Sequence, residues 1–154
     1  MLFRSPPGPG DAKRDRAGLK NAVAALRRIF RDKSEVFLGG VSYGGRQASM
    51  LCAEEPSVAT GLLLLSYPLH PPGKPEQLRT QHFFHLNTST LFVQGTKDPF
   101  GSIAEIEQAL KLIPGRKKLL IEEGAGHDLG FKGKTRAKEL PGRVLAEFQS
   151  FFAA

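Results

Sequence analysis

The spacing of hydrophobic and polar residues changes several times along this chain. Over residues 12–33, apolar side chains recur every three or four positions and charged side chains occupy the opposite face. This pattern predicts an amphipathic helix of about 17 to 20 residues, and Asp11 stands where it can cap the first turn. Short continuous apolar runs predict buried strands. These runs lie at residues 35–39, 61–67, 90–95 and 118–122.

Further helices are predicted between and after the strands. One covers residues 46–55 and ends at Pro56, because proline cannot continue a helix. Another starts at the capping-box pattern Ser102-x-x-Glu105. A closing helix near the C-terminus has Pro141 close to its first turn, where proline is tolerated.

This alternation of helices and strands indicates the fold class. It favours an α/β three-layer sandwich, with a mostly parallel sheet of about four to five strands and helices on both faces. The unbroken apolar character of residues 62–65 suits a strand that is covered on both faces. Residues 68–87 are rich in proline and histidine and predict an irregular excursion. Nothing in the composition divides the chain, so we expect one domain over residues 1–154.

A Gly-x-Ser-x-Gly pattern lies between a predicted strand and a predicted helix. Its residues are Gly40, Val41, Ser42, Tyr43 and Gly44. A serine on such a sharp strand-to-helix turn is typical of a nucleophile elbow. The backbone N–H of Tyr43, at the start of the helix, is then placed to stabilise an oxyanion. The alternative interpretation is a tight turn that needs its glycines only for packing.

A serine nucleophile needs a base, and the base needs an acid that orients it. In a parallel sheet these groups are expected just beyond the carboxyl ends of later strands. Asp98 follows the third predicted strand and His127 follows the fourth. We therefore predict a catalytic triad of Ser42, Asp98 and His127, in the chain order Ser, Asp, His. Glu122 and Glu123 are the alternative candidates for the acid.

Four segments carry a resemblance to a known family, at residues 38–46, 64–73, 92–101 and 126–129. Together they resemble the small α/β hydrolases related to dienelactone hydrolase, and the resemblance runs from about residue 2 to the C-terminus. It implies a serine hydrolase that acts on ester or similar acyl bonds. In that comparison Ser42 is the nucleophile, His127 the base and Asp98 the residue that orients the base. The resemblance implies neither a metal nor an organic cofactor.

On this basis we expect a carboxylesterase-like enzyme that cleaves small or short-chain acyl esters through an acyl-enzyme on Ser42. Tyr67 and Pro68, which follow a strand end, and Phe100 are expected to line the substrate pocket. The alternatives are a surface loop held by Tyr67 and a Phe100 ring that only fills the core. The alternative function is a catalytically weak or inactive hydrolase-like scaffold that binds a protein partner.

The sequence departs from the family pattern at its N-terminus. The family has a strand and a loop rich in histidine and glycine, which supplies a second oxyanion donor, and residues 1–35 contain no counterpart. The chain thus looks like a family member without its first portion. We expect an open edge on the first strand, covered by residues 2–5 or by a partner chain in a homodimer or larger assembly. An N–H of Gly8 or Gly10 is the candidate substitute donor.

Other polar residues have simpler interpretations. His70, His82 and His85 have no acidic or cysteine partner nearby in the sequence, so we expect no metal site. Asp128 is expected to stabilise its own loop, because adjacent side chains on a loop rarely converge on one ring. Cys52 lies within a predicted helix and is expected to be buried packing.

The chain is basic, with 22 Lys and Arg, 15 Asp and Glu and a net charge of +7. No aromatic residues interleave the basic runs, so we expect solvated surfaces and no nucleic-acid partner. A basic nucleic-acid-binding module remains the alternative, and a steep salt dependence would identify it. Apolar runs such as residues 62–65 are far shorter than the ~20 residues of a membrane span. With no recognisable signal peptide and one cysteine, a cytoplasmic protein is expected.

Overall fold

Four parallel strands form the centre of the structure. A computed structural model of the chain describes residues 11–30 and 35–153. The strands are β1 (Phe37–Val41), β2 (Gly61–Leu65), β3 (Ser89–Gly95) and β4 (Lys117–Glu122). The α-helices of the described residues are α1 (Ala12–Ile29), α2 (Tyr43–Glu54), α3 (Ile103–Leu110) and α4 (Lys134–Phe152).

The strands lie in the sheet in chain order, β1-β2-β3-β4, and every neighbouring pair is parallel. In the register, Val41 at the end of β1 stands beside Leu65 of β2, and Leu65 stands beside Val93 of β3. The carboxyl ends of the strands therefore meet at one edge of the sheet. The predicted α/β sandwich is confirmed, with four strands in the described residues.

The two faces of the sheet have separate apolar layers, because successive side chains of a strand point to opposite sides. On one face the buried residues include Leu62, Leu64 and Phe92 of the strands, Leu51 of α2 and Ile106 of α3. On the other face Leu63, Leu65 and Val93 lie with Leu140 and Val144 of α4. Helices thus cover both faces, as predicted.

Helix α1 packs on α2, and polar contacts fix its position. Asp11 caps α1, since its side chain accepts a hydrogen bond from the N–H of Lys13. Arg16 donates to Gln47 of α2 at 2.9 Å, and Lys20 forms an ion pair with Glu55 at 2.6 Å. Part of the basic charge of α1 is therefore used within the molecule.

The prediction that Pro141 lies near the first turn of the last helix is wrong. Helix α4 begins at Lys134, and Pro141 lies inside it. The N-cap of this helix is Gly133, which has no side chain that could accept a hydrogen bond. The helix start therefore lacks the usual sequence signal of a capping side chain. Without that signal, the sequence indicates the wrong turn of the helix for Pro141.

Strand β1 is an edge strand within the part of the chain that the structure describes, because it pairs with β2 alone. The expected partners of this edge, residues 2–5, lie outside the described residues, as do Gly8 and Gly10. An assembly that covers the edge stays a prediction. Across residues 11–30 and 35–153, no helix combines the length and apolar character that a bilayer span requires.

Candidate active site

Ser42 lies on the turn between β1 and α2. Its backbone has φ 52° and ψ −120°, a region that non-glycine residues rarely adopt. Its N–H donates to the carbonyl of Leu65 in β2 at 2.8 Å, and its own carbonyl accepts from the N–H of Arg46 at 3.0 Å. The strained serine is therefore held between the sheet and the first turn of α2, as in a nucleophile elbow.

The turn at Ser42 is tight enough to need glycines on both sides. A Cβ on Gly40 would come within 2.7 Å of the backbone of Gly44 and Gly45. A Cβ on Gly45 would come within 2.6 Å of the carbonyl oxygen of Gly40. The backbones of the strand end and the helix start are in direct contact. These glycines are therefore needed for packing, and this packing is compatible with a nucleophile elbow.

Ser42, His127 and Asp98 form a continuous hydrogen-bonded chain. Ser42 Oγ lies 2.8 Å from His127 Nε2. His127 Nδ1 lies 3.0 Å from Asp98 Oδ1 and 2.9 Å from Asp98 Oδ2. A proton on Nδ1, donated to Asp98, leaves Nε2 free to accept the proton of the serine hydroxyl. The Asp98 side chain is fully buried and that of His127 is 26% exposed, so a solvent-facing base rests on a buried carboxylate.

The loop after β3 and the loop after β4 are bonded to each other, and this brings Asp98 to His127. The N–H of Lys97 donates to the carbonyl of Ala125 at 2.8 Å. The N–H of Gly124 donates to Thr96 Oγ1 at 2.8 Å. Residues 96–97 and 124–125 thus run together just before Asp98 and His127, which fixes the distance between the two side chains.

Asp98 has two hydrogen-bond donors besides His127. The N–H of Phe100 donates to Oδ1 at 2.9 Å, and Gln94 Nε2 donates to Oδ2 at 2.9 Å. Gln94 is fully buried in β3 and was not predicted as a site residue. The sequence signal for Gln94 is a polar side chain in a strand whose other residues on the same face, Thr90 and Phe92, are buried. A buried polar side chain needs a hydrogen-bond partner, and here that partner is Asp98.

Of the three residues expected to line a substrate pocket, Phe100 contacts His127. Its ring stacks on the His127 ring with centroids 4.2 Å apart. Tyr67 and Pro68 are buried, and the Tyr67 hydroxyl donates to the carbonyl of Arg79 at 2.7 Å. The Tyr67 ring packs against Phe83, at a centroid distance of 5.3 Å. Direct contact of Tyr67 and Pro68 with a substrate stays a prediction.

The first residue of α2 is Tyr43, so its N–H lies at the helix N-terminus, where the first N–H groups have no acceptor within the helix. Its side chain extends to α1, where the hydroxyl donates to Asp15 Oδ2 at 2.8 Å. Burial and the neighbouring Asp15 carboxylate raise the pKa of Tyr43. The phenol therefore stays neutral and ties α1 to the residue that follows the serine.

The other acidic residues near the triad are engaged elsewhere. Glu122 is buried and forms an ion pair with Arg143 at 2.8 Å. Glu123 accepts from Thr96 Oγ1 at 3.3 Å. Asp128 accepts from the N–H of Gly130 at 2.9 Å and so stabilises its own loop, as expected. The carboxylate in contact with His127 is that of Asp98.

Burial shifts the pKa values of His82 and Cys52 in opposite directions. His82 Nε2 lies 2.8 Å from Ser49 Oγ, and burial, with the charges of Arg46 and Arg16, lowers the pKa of His82 to about 4. Burial raises the pKa of the Cys52 thiol to about 12, which keeps it protonated. Among the residues that the structure describes, no group of three His, Cys, Asp or Glu side chains could hold a metal ion.

A groove of about 410 Å³ opens on the α4 face of the sheet. Its lining is apolar and includes Leu63 and Leu65 of β2, Phe131, and Pro141 and Leu145 of α4. The triad residues do not belong to this lining. This apolar groove is thus separate from the Ser42–His127–Asp98 contact.

Comparison with known proteins identifies the family. A family profile described as an alpha/beta hydrolase domain matches residues 5–151. The chain therefore belongs to the α/β-hydrolase family. Similar solved structures carry the same fold. An alpha-beta serine hydrolase homologue from Coxiella burnetii has 18% identity and a TM-score of 0.70. A dienelactone hydrolase from Anabaena variabilis has 24% identity and a TM-score of 0.69.

The chain is shorter than these structures. Of its residues, 95% align with the Coxiella burnetii protein and 92% with the Anabaena variabilis protein. The aligned part spans 64% of the first protein and 61% of the second. A predicted CIB-like hydrolase from Thermoplasma acidophilum, with 21% identity and a TM-score of 0.63, aligns over 88% of this chain and 58% of its own length.

Proposed function

We propose that the chain is a serine hydrolase that cleaves small or short-chain acyl esters through an acyl-enzyme on Ser42. The observation that supports this most directly is the unbroken contact from Ser42 Oγ through the His127 ring to Asp98, at 2.8 and 2.9 Å. A serine hydroxyl is a weak nucleophile at neutral pH, and a base at this distance is what activates it. Membership of the α/β-hydrolase family supports the same conclusion.

In the proposed reaction, Ser42 Oγ attacks the carbonyl carbon of the ester while its proton passes to His127 Nε2. The carbonyl oxygen becomes an oxyanion, which the N–H of Tyr43 stabilises. The tetrahedral intermediate then breaks its bond to the alcohol, which leaves with the proton from Nε2. Water attacks the acyl-enzyme by the same route, which releases the acid and restores Ser42. The negative charge of Asp98 stabilises the imidazolium that forms twice in this cycle.

Oxyanion stabilisation is the step with the least support from this chain. The N–H of Tyr43 is one donor, and serine hydrolases of this fold ordinarily use two. Loss of one donor lowers turnover by about 100- to 1000-fold. We therefore propose that turnover depends on the N–H of Tyr43 together with a second donor. The stacking of Phe100 on His127 favours compact acyl groups next to the serine.

The experiment is hydrolysis of nitrophenyl acetate and nitrophenyl butyrate by the wild type, Ser42→Ala and Ser57→Ala. Ser57 is exposed and lies in the turn that precedes β2, at the opposite end of the strands from Ser42, so it is a matched serine control. We expect wild-type and Ser57→Ala rates above the buffer rate and a Ser42→Ala rate equal to it. Equal, near-background rates in all three folded proteins would reject the proposal for activated esters.

A further inference from the structure

We propose that Gln94 is a positioning residue for Asp98, which it holds ionised and oriented toward His127. This inference rests on the proposed function, because that function gives Asp98 its catalytic role. The contact between Gln94 and Asp98 itself does not depend on any substrate. Gln94 lies near the end of β3, four residues before Asp98, and its side chain is directed at the carboxylate from within the sheet.

The carboxylate of Asp98 is buried. The Asp98 side chain has no exposed surface, and its ion-pair partner among the described residues is His127. A buried carboxylate without donors tends to take up a proton, because burial penalises the charged form. A neutral Asp98 would no longer stabilise a positive charge on His127.

Two neutral groups donate hydrogen bonds to the Asp98 carboxylate. Gln94 Nε2 donates to Oδ2 and the N–H of Phe100 donates to Oδ1, each at 2.9 Å. Each carboxylate oxygen therefore has a neutral donor in addition to His127 Nδ1. Neutral donors favour the ionised form without cancelling its charge. The full negative charge of Asp98 therefore stays available to the imidazole. A lysine or arginine in place of Gln94 would offset that charge.

Gln94 also lowers the stability of the fold. Its Oε1 atom is buried and has no hydrogen-bond partner among the described residues. A buried polar atom without a partner destabilises a protein. A leucine of similar size would avoid this penalty and continue the apolar pattern of β3. A glutamine at this place is explained by what its amide does for Asp98.

The test is an NMR titration of the His127 ring in the wild type, Gln94→Leu, Gln94→Glu and Gln47→Leu. Gln47 is also buried, at 1% exposure, but bonds to Arg16 instead of Asp98, so it is a matched control. Gln94→Glu places a second carboxyl within hydrogen-bond distance of Asp98, where two such buried groups share one proton. The protonated glutamic acid donates to Asp98 as the amide does, so the pKa of His127 should stay near the wild-type value. Gln94→Leu removes this donor, so Asp98 takes up a proton more readily and supports the imidazolium less, and the pKa of His127 should fall. Gln47→Leu should leave it at the wild-type value.

A second readout follows activity. In Gln94→Leu, kcat should fall while KM stays constant, and the acidic limb of the pH profile should move to lower pH together with the pKa of His127. An unchanged His127 titration in a folded Gln94→Leu protein would overturn the proposal, whether or not Gln94→Glu folds. The titration needs no turnover, so a protein without esterase activity whose His127 responds to Gln94 would reject the proposed function and leave this inference standing.

Discussion

The substitution Gly95→Ala tests whether the close passage of two loops sets the distance between His127 and its partners. A Cβ on Gly95 would come within 2.7 Å of the Ala125 carbonyl carbon and 2.8 Å of the Gly126 oxygen, and closer still to the Ala125 oxygen. Ordinary contacts of this kind begin near 3.4 Å. The loop that carries His127 must therefore withdraw by about 1 Å, and a displacement of that size costs about 100-fold in rate.

The same overpacking should lower the free energy of unfolding by about 1 to 3 kcal/mol. The assay is nitrophenyl ester hydrolysis at a temperature where urea unfolding shows each variant to be fully folded. The control is Gly126→Ala, next to His127 in sequence, because its Cβ would lie 3.9 Å from its nearest neighbour, the Lys97 oxygen. We expect the loss of turnover in Gly95→Ala alone. A folded Gly95→Ala protein with wild-type turnover would refute the argument from loop spacing.

Three further predictions concern stability and reactivity. Tyr43→Phe removes the 2.8 Å hydrogen bond to Asp15, so urea unfolding should show a loss of about 1 kcal/mol. His82 has a pKa of about 4 in the folded protein and 6.5 when unfolded, so the unfolded state binds more protons between these values. The free energy of unfolding should therefore fall as the pH drops from 6.5 to 4, by less than about 1.4 kcal/mol per pH unit; a His82→Gln protein with the same slope would contradict this. The buried Cys52, whose pKa is raised to about 12, should react with a thiol reagent only after unfolding, and rapid reaction in the native protein would contradict its burial.

Some parts of the site were predictable because they follow from local patterns and topology. The Gly-x-Ser-x-Gly pattern defines the elbow within a few residues. Backbone contacts require its first glycine, Gly40, and Gly45 just after the pattern, whereas a Cβ on Gly44 would meet nothing within 4 Å. The approach of Asp98 and His127 to Ser42 follows from a parallel sheet, whose strand ends meet at one edge. Chain order and strand order coincide here, which made the inference direct.

Other parts depend on contacts that no local pattern encodes. The bond from Gln94 to Asp98 exists because the loop after β3 folds back over the strand end, and sequence spacing alone does not show that return. The packing of Tyr67 was also not encoded locally, because its ring contacts Phe83, which lies in the irregular segment between β2 and β3. The start of α4 at Lys134 was missed because it has no capping side chain.

The measurement that tests the central claim most directly is phosphonylation followed by intact-mass spectrometry and peptide mapping. Folded wild-type protein, Ser42→Ala and His127→Ala are each treated with a small fluorophosphonate, which reacts with an activated serine. The account predicts one adduct per wild-type chain, on Ser42, and none on either variant. An unmodified wild-type protein, or an adduct equally formed without His127, would contradict an activated Ser42 and favour a hydrolase-like scaffold that binds a protein partner.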